Sequence, residues 1–234
     1  MRTSPYATFA SNPVRAIFGI LAWPRTYLNL VYLLIGFPLG LAYFVFYVVG
    51  GSLGAGLSIL GIGLVILFLL ILAAWALSLF ERVLANALLG ADVPSPGHTA
   101  TEEGGWPWVK SVLGNPVTWK GLAFQLLKFP LGLASWIVTI VVLAVVGGLI
   151  AAPLVVQFGG TIQIDPWLVA DTQREAWIAT AIGLAAVIPA LHLLNGLAYL
   201  WVLFARVMLG RREPGQPARE AWTPSATQTP VPAL

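Results

Sequence analysis

The chain has no cysteine among its 234 residues. Disulfides, thiolate metal sites and cysteine nucleophiles are therefore excluded together. Charge is almost as scarce: charged residues make up 9%, against about a quarter in a soluble domain. There are only two histidines, His98 and His192, and they are far apart in sequence. No His-x-x-x-His spacing exists for a metal, and no cofactor is expected. The net charge of +3 is too small for a nucleic-acid surface. What is abundant is apolar: 59% of residues are hydrophobic, and the mean hydropathy is +0.87. A globule of this composition could not cover itself with polar surface, so the solvent for most of the chain is lipid.

Apolar runs long enough to cross a bilayer, about 20 residues at 1.5 Å each, occur four times. They are Leu28 to Val49, Leu57 to Phe80, Lys120 to Val146 and Trp177 to Phe204. The fold class is an all-α membrane protein with four transmembrane helices and added interfacial helices. Residues 1–27 read as a mobile N-terminus and an interfacial helix over 13–27, anchored by Trp23 and Tyr27. Gly50, Gly51, Ser52 and Gly54 read as a tight turn, and Gly90 as a helix stop. Residues 91–119 form a loop with a second interfacial stretch from Trp106 to Leu113, and Ala151 to Val156 extends the third span beyond Gly147-Gly148. Residues 157–176 are a polar segment, and the proline-rich tail 211–234 is expected to be disordered.

Basic residues set the expected orientation. Arg2, Arg15, Arg25, Arg82, Lys110, Lys120, Arg206, Arg211, Arg212 and Arg219 flank one side, and Arg174 alone flanks the other. Both termini and the 91–119 loop are then cytoplasmic and 157–176 is external, in a multi-pass protein of the inner (plasma) membrane. No secretory signal peptide is expected, because Ala16 to Trp23 is short and closed by Pro24-Arg25.

The chain repeats itself. Phe37-Pro38-Leu39-Gly40-Leu41-Ala42 recurs as Phe129-Pro130-Leu131-Gly132-Leu133-Ala134. Upstream, Pro24-Arg25-Thr26-Tyr27 matches Pro116-Val117-Thr118-Trp119 in the same register, and Ala87-Leu88-Leu89-Gly90 matches Val207-Met208-Leu209-Gly210. Residues 28–90 and 120–210 are thus two repeats, each leaving and re-entering on the same side, hence parallel and related by an axis along the membrane normal. Pro38 and Pro130 each remove a backbone hydrogen bond and are expected to kink their spans. Gly36 and Gly40, with Gly132 in the second half, suit close helix packing.

This pattern resembles a known family. Arg25-Thr26-Tyr27, Phe37-Pro38-Leu39-Gly40, Glu81-Arg82 and Leu88-Leu89-Gly90, with Thr118-Trp119, Phe129-Pro130-Leu131-Gly132 and Leu209-Gly210, look like the sensor domain family. That family is a membrane module found N-terminal to bacterial histidine kinases. The resemblance spans roughly residues 20–210 and implies membrane signalling. The residues after Gly210 carry no phospho-accepting histidine and no ATP-binding domain. A sensor of this kind is expected to act through a protein partner, a kinase, regulator or membrane complex.

The residues themselves offer no catalytic constellation. No phosphate-binding loop and no nucleophile elbow occur. Glu102-Glu103 reads as loop solubility, so no enzyme activity is expected. Intramembrane polar residues are the functional candidates. His192 and Asn195 share a face one turn apart, either as a ligand contact, a proton-sensitive switch or a pigment ligand, or as structural hydrogen-bonders. Lys128, with Gln125 on its face, reads first as snorkelling to the headgroups. The alternatives are pairing with an acidic group or sensing an anion. The ten tryptophans read as interfacial anchors rather than a pigment site. Two further functions compete with signalling: an accessory subunit of a larger membrane complex, and a small transporter formed by oligomerisation. The second is disfavoured by the lack of convergent polar groups.

Overall fold

A computed structural model describes residues 19–21, 23–94, 113–114, 116–164 and 168–210. The N-terminal stretch 1–18, the interfacial stretch from Trp106 to 112 and the tail 211–234 lie outside the described residues. Helix α1 runs Pro24–Gly56 and α2 runs Ile62–Leu84. A wider π-type turn, Ala85–Leu89, continues α2 to Gly90. Helix α3 runs Pro116–Ile150, a short α4 runs Ala152–Gln157, and α5 runs Gln173–Leu209. Two short strands, β1 (Ile162–Ile164) and β2 (Leu168–Ala170), pair antiparallel with Gln163 opposite Val169.

Four helices are long and apolar enough to cross a membrane: α1, α2 with its π-type turn, α3 and α5. The chain is a multi-pass membrane protein on that evidence. All are longer than the apolar runs that mark them in the sequence. Pro24 to Tyr27 form the first turn of α1, with proline at the start where no N–H is needed, and are not part of a separate interfacial helix. Gly50 to Gly54 do not turn; α1 continues through them to Gly56. In lipid, an unwound backbone has no water to bond, so glycines that would break a soluble helix stay helical. The reversal comes later, at a 3₁₀ turn over Ser58–Leu60 and at Gly61, whose φ of 76° suits glycine. Gly63 then packs against the end of α1, where a Cβ would sit 2.1 Å from the Gly54 carbonyl oxygen. Gly147-Gly148 likewise stays inside α3, and 152–157 is a separate helix, not an extension.

Gly90 does stop its helix, with a φ of 57°. The segment 157–176 contains the β1–β2 hairpin and the first turn of α5. That turn is fixed by a capping box: the Thr172 hydroxyl accepts from the Glu175 N–H, and the Glu175 carboxylate accepts from the Thr172 N–H. Thr172-x-x-Glu175 was a legible signal for this helix start.

Helices α1 and α3 make the most extensive contact and form the central pair. Helix α2 packs on α1 and α3, α5 packs on α3 and α1, and α2 and α5 scarcely meet. The central pair approaches closely at two glycines. A Cβ on Gly40 would lie 2.7 Å from the Lys128 carbonyl oxygen, and one on Gly132 would lie 3.0 Å from that of Gly36. Gly36 therefore offers its carbonyl, not Cβ space, since a Cβ there meets nothing within 4 Å. Between these contacts Phe37 stacks on Phe129, with ring centroids 6.2 Å apart. Lipid tails are as apolar as leucine, so close backbone approach of this kind holds such helices together. The outward faces, with Val45, Leu64, Val141 and Leu200 among the exposed residues, meet hydrocarbon.

Buried positions recur on α1 and α3 at the 92-residue spacing of the two hexapeptides. Thr26, Tyr32, Leu33, Gly36, Gly40, Tyr43 and Tyr47 are buried on α1, and each has its buried mate 92 residues on, from Thr118 to Thr139 on α3. Gly63, Ala74, Ser78, Glu81, Arg82, Ala85 and Leu89 are buried. So are the residues 120 further on, from Gly183 to Leu209. Two hooks have the same form: the Tyr27 hydroxyl donates to the Leu21 carbonyl, and the Trp119 indole N–H donates to that of Leu113, both at 2.9 Å.

Candidate functional site

Glu81 sits near the end of α2 and Lys128 a third of the way into α3. Both side chains are fully buried, and the Lys128 ammonium donates to both Glu81 oxygens, at 2.7 Å to Oε1 and 2.6 Å to Oε2. Glu81 Oε1 also accepts from the Tyr43 hydroxyl of α1 at 2.8 Å. One carboxylate thus ties three helices. The ammonium lies over aromatic rings as well, 5.0 Å from the Tyr32 centroid, 5.9 Å from Phe124 and 6.0 Å from Tyr43. Such faces attract a desolvated cation.

A second, neutral layer lies along the same seam. The Tyr47 hydroxyl donates to Gln125 Oε1, and Gln125 Nε2 donates to the Ala74 carbonyl at 3.0 Å. This layer again links α1, α3 and α2. Tyr32 differs from these groups: its hydroxyl is buried with no hydrogen-bond partner.

Lys128 therefore does not snorkel. Its side chain has no exposure and ends on Glu81 inside the bundle, because a carboxylate within reach satisfies the ammonium better than a stretched path to the headgroups. Gln125 joins the same face, as its spacing from Lys128 suggested. The sequence does not single out Glu81, because Glu81-Arg82 reads as the polar end of a span. In the structure the helix runs on to Leu89, and both residues are buried. The usable signal was that Glu81 is the one acidic residue of the second helix and that Lys128 lies well inside the third, past Lys120 at its start.

His192 and Asn195 are separated. His192 faces outward from α5, whereas Asn195 turns to α1. There the Asn29 amide donates to Asn195 Oδ1 at 2.7 Å, and Asn195 Nδ2 donates to the Thr26 hydroxyl at 3.2 Å. One helical turn is about 100° per residue over three residues, so the two side chains diverge by about 60°. That is enough to put one in the seam and the other outside. Asn195 holds helices together.

The end of α2 is gripped from α1 and from α5. Arg25 Nη2 donates to the Leu89 carbonyl at 3.2 Å, and Arg206 Nε donates to the Ala91 carbonyl at 2.7 Å. Arg25 here meets a carbonyl that the helix end leaves unpaired, Arg206 holds the chain just beyond it, and both guanidiniums sit at the negative end of the helix dipole. Asn86 closes the turn beyond, bonding Val93 through both N and O.

Among the described residues no cluster of His, Asp or Glu could hold a metal ion. No curated protein and no solved structure matches the chain. A family model described as "Putative sensor" matches residues 32–209. Every residue of the ion-pair network, and all or most of each of the four spanning helices, lies in that stretch. The chain belongs to this sensor family.

Proposed function

We infer that the chain is a membrane sensor module made of two parallel repeats, and that it passes its state to a protein partner without chemistry of its own. The reading rests on the buried Glu81–Lys128 pair, which joins α2 of the first half to α3 of the second. A signalling element needs two arrangements of packed helices separated by a few kcal/mol. An ion pair at a helix seam in low dielectric can set such a gap, because it is favourable only while both partners remain charged and in contact.

The repeat is supported by the reciprocal contacts. Gly40 on Lys128 and Gly132 on Gly36 exchange under the 92-residue spacing, and Phe37 meets its own mate, Phe129. Contacts that map onto themselves in this way are those of a two-fold axis between the halves. With both termini cytoplasmic, the Arg25 and Arg206 grips lie at the cytoplasmic end of the bundle. Helix motions at the seam would there reach a partner. The external segment 157–176, which has no counterpart in the first half, is the natural input.

Affinity purification in mild detergent tests this reading, using the wild type and the Glu81→Leu/Lys128→Met double variant. A stoichiometric partner whose occupancy differs between the two is expected. Equal occupancy in both forms would instead make the chain an accessory subunit of a complex.

A further inference from the structure

The two halves provide a comparison internal to the molecule. Where the first half has Tyr43 on Glu81, the second has Ser135 and Trp201 at the corresponding positions. The Trp201 indole N–H donates to the Ser135 hydroxyl at 2.9 Å. Where α3 carries Lys128, α1 carries Gly36, and where α1 carries Tyr32, α3 carries Phe124. The same chain therefore builds this junction twice, once with a charge pair and once with a neutral aromatic. The neutral version packs well: Trp201 is buried against Tyr32, Phe124 and Phe204. The fold does not require charge at this place.

Charge at this depth is nonetheless costly. Each buried ion carries a desolvation penalty of several kcal/mol, and intramembrane ionisable residues are retained for function. We propose that Glu81 is a proton-binding site, and that its protonation releases α2 from α3. The inference deepens the sensor reading and rests on it only for the step to the partner. Proton uptake forms an O–H bond on the Glu81 carboxylate and cancels its charge. Lys128 then remains a cation with no counter-ion on its seam. The Tyr32, Tyr43 and Phe124 rings still surround it, and the unpartnered Tyr32 hydroxyl is an acceptor to which the ammonium can turn. The network thus holds two arrangements: Lys128 on Glu81, and Lys128 withdrawn toward Tyr32 and α1.

The groups that face this site are few. Helix α1 presents Tyr32 and Tyr43, with Tyr47 one layer away on Gln125. Helix α2 presents Glu81, with buried Arg82 next to it in sequence, and α3 presents Lys128. Helix α5 presents Trp201; its nearby ionisable residues point elsewhere, Arg206 to the Ala91 carbonyl and His192 outward. Glu81 is the only carboxylate among these facing groups, so it is where an added proton neutralises charge.

The lack of native cysteine makes the test direct. Cysteines at the exposed positions Val83 on α2 and Leu131 on α3 carry spin labels, and the distance between them is measured in lipid nanodiscs across pH. The wild type should shift by about 2 Å or more on acidification, the scale of helix shifts in switching proteins. Glu81→Gln should hold the acid distance at every pH. Glu81→Leu/Lys128→Met strands no charge and should show one distance throughout. A wild-type distance that ignores pH overturns the proposal, as does a shift that persists in either variant. Should Glu81→Gln fail to fold, the double variant alone decides. A pH-dependent distance with partner occupancy unchanged would leave the proton site standing and sink the partner reading.

Discussion

Removing one member of the buried pair should cost far more than removing both. Glu81→Leu removes the carboxylate that the fully buried Lys128 ammonium holds, and Lys128→Met leaves the Glu81 carboxylate with the Tyr43 hydroxyl but without the ammonium. Stranding a buried charge costs roughly 3–5 kcal/mol. Replacing both by apolar groups of similar volume is close to neutral, often within about 1 kcal/mol or stabilising. The coupling between the two positions should therefore be about 3 kcal/mol or more. That exceeds ordinary interhelical hydrogen bonds in membranes, which average about 0.6 kcal/mol and reach about 1.7. Reversible unfolding in mixed micelles with increasing SDS, followed by the fluorescence of the ten tryptophans, measures all four corners of the cycle. Single variants that each cost under about 1 kcal/mol and add in the double would refute the reasoning. The two charges would then not be compensating one another.

Other outcomes follow from the packing. Gly40→Ala should destabilise the α1–α3 pair by about 1–3 kcal/mol in the same unfolding assay, because its Cβ meets the Lys128 backbone at 2.7 Å. Gly36→Ala, with open space, should be tolerated. Asn195→Leu should cost roughly 0.6–1.7 kcal/mol through its bonds to Asn29 and Thr26, whereas His192→Leu should leave unfolding unchanged. Gly90→Ala should disrupt the end of α2, since its φ is 57° and Arg25 Nη2 occupies the Cβ position at 1.0 Å; protease sensitivity of the chain just after Gly90 reports it. Single cysteines at Ser4 and Ser225 should resist an impermeant thiol reagent in intact cells while one at Thr172 is labelled, and the reverse pattern would invert the orientation.

Much of the architecture is legible because lipid makes the rules simple. Four apolar runs must be helices, since no other open structure satisfies the backbone in hydrocarbon, and the chain forms four. Gly90 as a stop follows from the αL requirement alone. The boundaries were less legible for the same reason. Glycine lowers helix propensity in water, yet Gly50, Gly51 and Gly54 stay in α1 because unwinding there has no solvent to favour it. The β1–β2 pair escaped because residues 157–176 read as one polar segment through Asp165, Asp171, Arg174 and Glu175, and three-residue strands carry too little alternation to announce themselves.

The sequence by itself determined that this is a helical membrane protein with four spans, that hexapeptide motifs recur, and that a few polar residues sit where lipid should exclude them. Only the tertiary structure decided which of those residues meet. Lys128 and Glu81 are 47 positions apart, and the order of residues does not say which faces of α2 and α3 turn inward. That choice is made by Gly40 and Gly132, which let two backbones approach to contact and so fix the rotation of every side chain on the seam. Once α1 and α3 are locked in that register, Lys128 must end among Tyr32, Tyr43 and Glu81, and Asn195 must leave His192 for Asn29. A charge in low dielectric goes to the nearest counter-charge the packing allows, and packing is a property of helices in three dimensions.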